Sequence, residues 1–236
     1  MADTKREYVN FALTEAVPTA FMNVVNPVPF KKGGVSKGDP RYSATFVFAP
    51  DSGDLKALKA LIVDKMKAFF PGKKLVSRRL TQDELDGGGV VEVKLPWADG
   101  TKFADEGTNG AEKRDNEWAR GKVMVKAGSN DQHPPGLSAI ENGKVVEFNT
   151  PESRAANAGK FASGAYVVAQ FGLNIYPAKG ETPGGCSLWP RAICHVKPGP
   201  KTTGGGGVNQ AEVFRAYAGT VKADNPYAGA DDEIPF

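Results

Sequence analysis

Residues 164–176 alternate without a break between two sets of side chains. Ala165, Val167, Ala169, Phe171, Leu173 and Ile175 form one set; Tyr166, Val168, Gln170, Gly172, Asn174 and Tyr176 form the other. A two-residue period is the repeat of an extended strand with one face turned to a core. A lone strand is not stable in water, so this segment commits the chain to a sheet. Residues 41–48 carry the same period, with Tyr42, Ala44, Phe46 and Phe48 on one face. The 28 glycines and 17 prolines supply the turns that a protein of many short strands needs.

Other segments fit around these two. Residues 19–25 read as an early strand, followed by an extended, proline-punctuated stretch and a basic glycine-rich loop from Lys31 and Lys32 to Gly38. Residues 54–70 form the one convincing helix, because Leu55, Leu58, Ile62, Met66 and Phe69 recur at three- and four-residue spacing. Asp51 or Ser52 can cap its start, and Pro71-Gly72 ends it. Short strands are expected at 90–95, 121–127 and 144–148, and a last one at 187–196. Gly204 to Gly207 read as a flexible linker. One main helix among at least five strands with long loops predicts a mostly β fold, a small barrel, and within that class a five-stranded Greek-key OB-fold. The expected division is a body over 1–200 and a linker with an acidic tail over 201–236.

Little catalytic chemistry is available. His133 and His195 are the only histidines, and Cys186 and Cys194 the only cysteines, too few for a disulfide framework and suited to a reducing cytoplasm. In an unbroken strand the two cysteines share a face while His195 points away, which argues against a metal site. Gly33 and Gly38 have phosphate-loop spacing, but Asp39-Pro40 stands where a Lys-Ser/Thr pair is needed. Asp83, Glu84 and Asp86 cluster in what reads as a solvated turn; a two-metal nuclease would need carboxylates converging from separate strands. No cofactor is expected. No apolar run is long enough to span a membrane, and the charged start, without an apolar stretch behind it, does not read as a secretion signal.

Charge and aromatic placement point elsewhere. Residues 201–236 hold three bases and five acids, a net −2, which leaves 27 bases and 22 acids, or +5, on residues 1–200. A basic body invites a polyanion. Binding a single nucleic-acid strand requires cations along a groove and aromatic faces for bases. The chain interleaves the two: Lys31, Lys32 and Arg41 flank the first loop, Trp97 precedes Lys102, and Lys113, Arg114, Trp118, Arg120 and Lys122 come close together. Lys126 shares parity with Lys122, and Tyr166 and Tyr176 lie on the strand face away from the core. These residues form the expected DNA-binding set, with phosphates on the cations and bases on the rings of Trp97, Trp118, Tyr166 and Tyr176.

The sequence ends on Asp231, Asp232, Glu233, Ile234, Pro235 and Phe236. Packing gives acids and a penultimate proline no reason to be there, whereas a basic-rimmed apolar pocket on a partner would take them as a ligand. This ending closely resembles the acidic tip of bacterial single-stranded-DNA-binding proteins. Gly121 to Ala127, then Gly164 to Phe171, then Gly184-Gly185-Cys186-Ser187-Leu188 resemble phage single-stranded-DNA-binding proteins with an OB-fold. Cys186 departs from that pattern, and Trp189-Pro190 interrupts it. The resemblance implies a protein without enzymatic activity that protects single-stranded DNA during phage replication and recombination in the bacterial cytoplasm. It also implies recruitment of replication and repair proteins through the tip. A recombination mediator that anneals strands, or a metal-dependent nuclease, are the alternative expectations.

Overall fold

The computed structural model describes residues 9–32, 35–106, 117–177 and 183–200, with the backbone alone described at 30–32, 35–37 and 106. Lys113, Arg114, the glycine linker and the acidic ending therefore lie outside the described residues. In chain order the elements begin with β1 (Val9–Ala12), β2 (Val17–Lys32), β3 (Val35–Phe48), α1 (Gly53–Phe69), β4 (Lys74–Val76) and α2 (Gln82–Gly87). They continue with β5 (Val90–Lys94), β6 (Trp97–Asp99), α3 (Gly100–Glu106), a 3-10 turn (Glu117–Ala119), β7 (Val123–Asn130), β8 (Gly136–Glu141) and β9 (Lys144–Glu147). The last are α4 (Pro151–Ala156), a 3-10 turn (Ala158–Phe161), β10 (Tyr166–Tyr176) and β11 (Gly184–Lys197).

Five of these strands close into a ring. β2 pairs with β3, β3 with β7, β7 with β11, β11 with β10, and β10 returns to β2. Every contact in the ring is antiparallel except β7 with β11, where Leu188 opposes Ala127 in parallel. The seam between β10 and β2 is short, with Tyr166 opposite Pro18 and Val167 opposite Val17, and is prolonged by Thr19, whose hydroxyl donates to the Ala165 carbonyl at 2.9 Å. This order and sense make the barrel an OB-fold, as the sequence predicts. β1 adds to the free length of β10, β5 and β4 extend the sheet beyond β11, and the β8–β9 hairpin pairs with the end of β11.

Helix α1 packs its apolar stripe onto the barrel core. Ser52 caps it, its hydroxyl accepting from the Leu55 amide, and Leu55, Leu58, Ile62 and Met66 are no more than 1% exposed. Its stripe joins the same core as Phe46, Phe48, Val125, Val167 and Phe171, in which the Phe46 and Phe171 rings meet edge to face at 4.7 Å. One segment between β3 and β7 thus carries α1, β4, α2, β5, β6 and α3.

Two local expectations are corrected. The cluster Asp83, Glu84 and Asp86 is not a turn but the short helix α2, because Thr81 and Glu84 form a reciprocal capping box and Gly88 closes the end at φ +60°. Cys186 and Cys194 do not share a face. The β10–β11 register shifts between Gln170 and Phe171, which oppose Ala192 and Pro190 and leave Arg191 as an extra residue. That bulge reverses the alternation, so Cys186, Ile193 and His195 are buried and Cys194 is only half-buried.

Candidate nucleic-acid interface

The outward face of β3 and β7 follows from their register. Tyr42, Ala44, Phe46 and Phe48 oppose Ser129, Ala127, Val125 and Val123 on the core side. The other parity places Arg41 against Asn130, Ser43 against Gly128, Thr45 against Lys126 and Val47 against Met124. Arg41, Lys126, Gly128 and Asn130 are exposed, whereas Thr45, Val47 and Met124 are buried. The face is open at the Arg41 end and covered at the Met124 end. Asn23 of β2 continues the middle row, its amide donating to the Ser43 hydroxyl at 3.4 Å.

Beyond Arg41 and Asn130, β2 and β3 leave the barrel as a two-stranded ribbon, with Val28 opposite Arg41, Phe30 opposite Lys37, Lys31 opposite Ser36 and Lys32 opposite Val35. Lys31, Lys32, Lys37 and Arg41 against Asp39 make it basic. Pro27, Pro29 and Pro40 lack the amide that a further strand would use, which keeps this ribbon from pairing with other chains. In OB-folds the face of the second and third barrel strands and the loop between the first and second strands are where oligonucleotides lie. Here those are the β3–β7 face and the ribbon.

An aromatic cluster stands at the covered end. Phe21 and Phe103 are 5.7 Å apart, Phe21 and Trp118 6.1 Å, and Phe103 and Trp118 6.0 Å between ring centroids. The Trp118 indole N–H is buried with no hydrogen-bond partner among the described residues. Phe21 sits where the β2–β3 register breaks, between Ala20 opposite Thr45 and Asn23 opposite Ser43, and has φ +50°. β6 leads into α3, whose first amide, at Gly100, donates to the Lys122 carbonyl at 2.9 Å. A Cβ at Gly100 would lie 2.1 Å from the Ala119 carbonyl oxygen, so only glycine lets α3 close onto the 117–119 turn.

The predicted cations and rings are not all presented alike. Arg120 is a brace: it pairs with Glu117 at 2.7 Å and with Asp105 at 2.9 Å, joining the turn to α3. These carboxylates hold its guanidinium above its ordinary range, and Glu117 is held below its own. Lys122 is only 6% exposed; burial pushes its ammonium pKa down, opposed by the charge of Asp51. Lys102 is exposed beside Phe103. Trp97 is half-buried against the core, with the Lys59 ammonium 5.6 Å from its ring centre.

Tyr166 and Tyr176 stand at opposite ends of β10, separated by roughly 33 Å of strand. They cannot share one stacking site. In the five-membered ring β10 lies across from β3 and β7. The Lys197 ammonium lies 4.8 Å from the centre of the Tyr166 ring, and burial raises both phenols, that of Tyr176 with a contribution from Cys186. Burial also pushes the Cys186 thiol up to about 12.

Among the described residues no group of three or more His, Cys, Asp or Glu side chains is arranged to hold a metal ion. Glu84 is occupied by Arg78 at 2.6 and 2.7 Å and by Thr81, and the Arg78 hydrogen bonds hold its carboxyl down to about 2. No described helix is long and apolar enough to cross a membrane.

Sequence reasoning missed Phe21. Its signal was the adjacent pair Phe21-Met22, which breaks the alternation of residues 19–25 where the strand bulges. Phe103 was legible only as a neighbour of Lys102.

No family model matches the chain, and no curated protein matches it either. Solved structures do. The single-stranded DNA-binding protein from bacteriophage Enc34 aligns at TM-score 0.50 and 15% identity, over 90% of this chain and 97% of that one. The same protein in complex with ssDNA aligns at 0.48 and 16%, over 86% and 97%. The single-stranded DNA binding protein gp2.5 of bacteriophage T7 aligns at 0.45 and 12%, over 93% and 97%. At such identity the first of these likenesses establishes a shared fold, in agreement with the strand order above.

Proposed function

We propose that this protein binds single-stranded DNA without sequence preference, laying the strand along the outward β3–β7 face and the basic β2–β3 ribbon. The observation that carries the reading is the exposed row of Arg41, Lys126 and Asn130 around Ser43 and Gly128, continuous with the ribbon that bears Lys31 and Lys32. Small residues in the middle of a face flanked by cations leave room for a backbone to approach, and a narrow open face suits one strand better than a duplex. The fold it shares with the Enc34 protein, which is named for this activity, supports the same reading.

In this proposal the body over 1–200 protects single strands during phage replication and recombination, in the host cytoplasm. Residues 201–236 tether Asp231, Asp232, Glu233, Ile234, Pro235 and Phe236, which recruit replication and repair proteins. The function is binding and not catalysis.

Titration of labelled oligo-dT against salt tests it. The affinity should fall steeply with salt, exceed that for duplex of the same length, and lose about one unit of salt slope in each of Arg41→Ala and Lys126→Ala. Equal affinity for duplex, or a slope untouched by both substitutions, sinks the reading. Removal of 231–236 should leave DNA binding intact or stronger while abolishing capture of host replication proteins.

A further inference from the structure

We infer that Phe21 is a base-stacking residue, held by a strained backbone at the edge of the β3–β7 face, where Phe103 and Trp118 brace it. The inference rests on the single-strand reading above and adds the side on which the bases lie.

A φ of +50° is an outlier for a bulky non-glycine residue. Such a conformation costs free energy and persists only where its surroundings impose it, commonly at binding sites. Core packing does not explain it here. Phe21 is half-buried, while Phe46 and Phe48 on the neighbouring strand are at most 1% exposed and sit in regular register. The strand bulges between Ala20 and Asn23, and Asn23 already belongs to the open row with Ser43 and Gly128. The bulge therefore puts the ring at the boundary between the covered and the open parts of the face. The Met22 amide, which the bulge removes from the β2–β3 ladder, is taken by the Ser163 hydroxyl at 3.2 Å, so the distortion is anchored from the β10 side.

The cluster braces Phe21 without stacking it. Phe21 meets Phe103 at 82° and Trp118 at 58°, and Phe103 meets Trp118 at 58°. These are inclined contacts, a preferred aromatic geometry, and no pair of the three rings is stacked face to face.

Charge is uneven across the face. Near the cluster Arg120 is neutralised by Glu117 and Asp105 and Lys122 is buried, while Lys102 is exposed beside Phe103. On the β3–β7 side Arg41, toward the ribbon, and Lys126, across β3 from Ala20, are exposed. A strand that follows this division turns its phosphates to Arg41 and Lys126 and its uncharged bases to Phe21.

Glycine at position 21 separates the two roles, since it accepts positive φ and removes the ring. Full-length Phe21→Gly should bind oligo-dT roughly 5- to 150-fold more weakly, the range expected for one lost base-aromatic stack. Its urea midpoint should be unchanged or higher. Phe21→Trp should retain affinity, Phe21→Leu should not, and an abasic oligonucleotide should bind wild type and Phe21→Gly equally. A midpoint that drops, or a variant that fails to fold, makes Phe21 a packing residue and overturns the inference. So does unchanged oligo-dT affinity in a folded Phe21→Gly. If the wild type itself does not bind oligo-dT, the function proposed above fails and this inference with it. If the wild type binds and only the Phe21 series shows no effect, the inference alone falls.

Discussion

Asp54, in the first turn of α1 and 6% exposed, is bound to Thr14 from 40 residues upstream. Its carboxylate accepts from the Thr14 amide at 2.8 Å, the Thr14 hydroxyl at 2.7 Å and the Glu15 amide at 3.1 Å. The three bonds satisfy the connection between β1 and β2 and fasten it to the helix packed on the barrel core. Asp54→Ala leaves two backbone amides and a hydroxyl without their acceptor, so a loss of about 2–3 kcal/mol is expected, the scale of hydrogen bonds to a charged group. Urea denaturation of the variant measures it; a loss below about 0.5 kcal/mol would show that water replaces the carboxylate without cost.

His195 makes stability depend on pH. It is 8% exposed, packed edge to face with Phe161 at 6.4 Å, and its pKa is pushed below the ordinary imidazole value by burial and by Lys160, with Glu141 opposing. In the unfolded chain it titrates near 6.5, so below that pH the unfolded state binds a proton that the folded state resists. The stability contributed by neutral His195 is therefore complete above about pH 6.5 and is lost as pH falls toward its depressed folded value. Unfolding curves between about pH 5 and 7 should show stability rising with pH, and His195→Gln should flatten that rise.

Gly172 has no room for a side chain. It opposes Trp189 across β10 and β11, and a Cβ there would lie 2.1 Å from the indole ring. The indole is held in turn by the Arg191 guanidinium, 5.4 Å from the ring centre, which also donates to Asn10 at 2.8 Å. Gly172→Ala should cost about 1–3 kcal/mol through overpacking and shift the Trp189 emission toward that of exposed indole. Gly172→Ala combined with Trp189→Ala should recover part of the loss, because the clash goes with the ring.

Arg120 serves as a control for the interface. Because its guanidinium is already engaged by Glu117 and Asp105, Arg120→Ala should loosen the turn and α3 without removing a phosphate contact. Faster amide exchange at Gly121 and around Trp118, with the salt dependence of oligo-dT binding unchanged, is the expected result. A reduced salt slope would assign Arg120 to the DNA instead.

The elements that sequence predicted best are those whose signals are local. β10 declared itself through alternation, residues 42–48 of β3 likewise, and α1 through the spacing of Leu55, Leu58, Ile62 and Met66, because each of these stretches buries one face. The β4–α2–β5 extension and α3 were not legible, since short elements carry too few residues for a period to show. The reversal of faces at Arg191, which separates Cys194 from Cys186, was hidden because a bulge leaves composition and spacing unchanged.

The same division runs through the candidate interface. Taken by itself, the sequence determined that the chain is a β-barrel protein with a basic body, cations interleaved with aromatics, and an acidic ending, since charge and periodicity are properties of the chain. Which cations meet solvent was decided by tertiary structure. Arg41 and Lys126 come together because β3 and β7 pair in one register, while Lys122 is buried and Arg120 is taken by acids on neighbouring elements. The placing of Phe21 beside Phe103 and Trp118 depends on a strand irregularity and on contacts between segments about 80 residues or more apart in sequence. Proximity between segments distant in sequence is a property of the folded pairing and has no local signal to read.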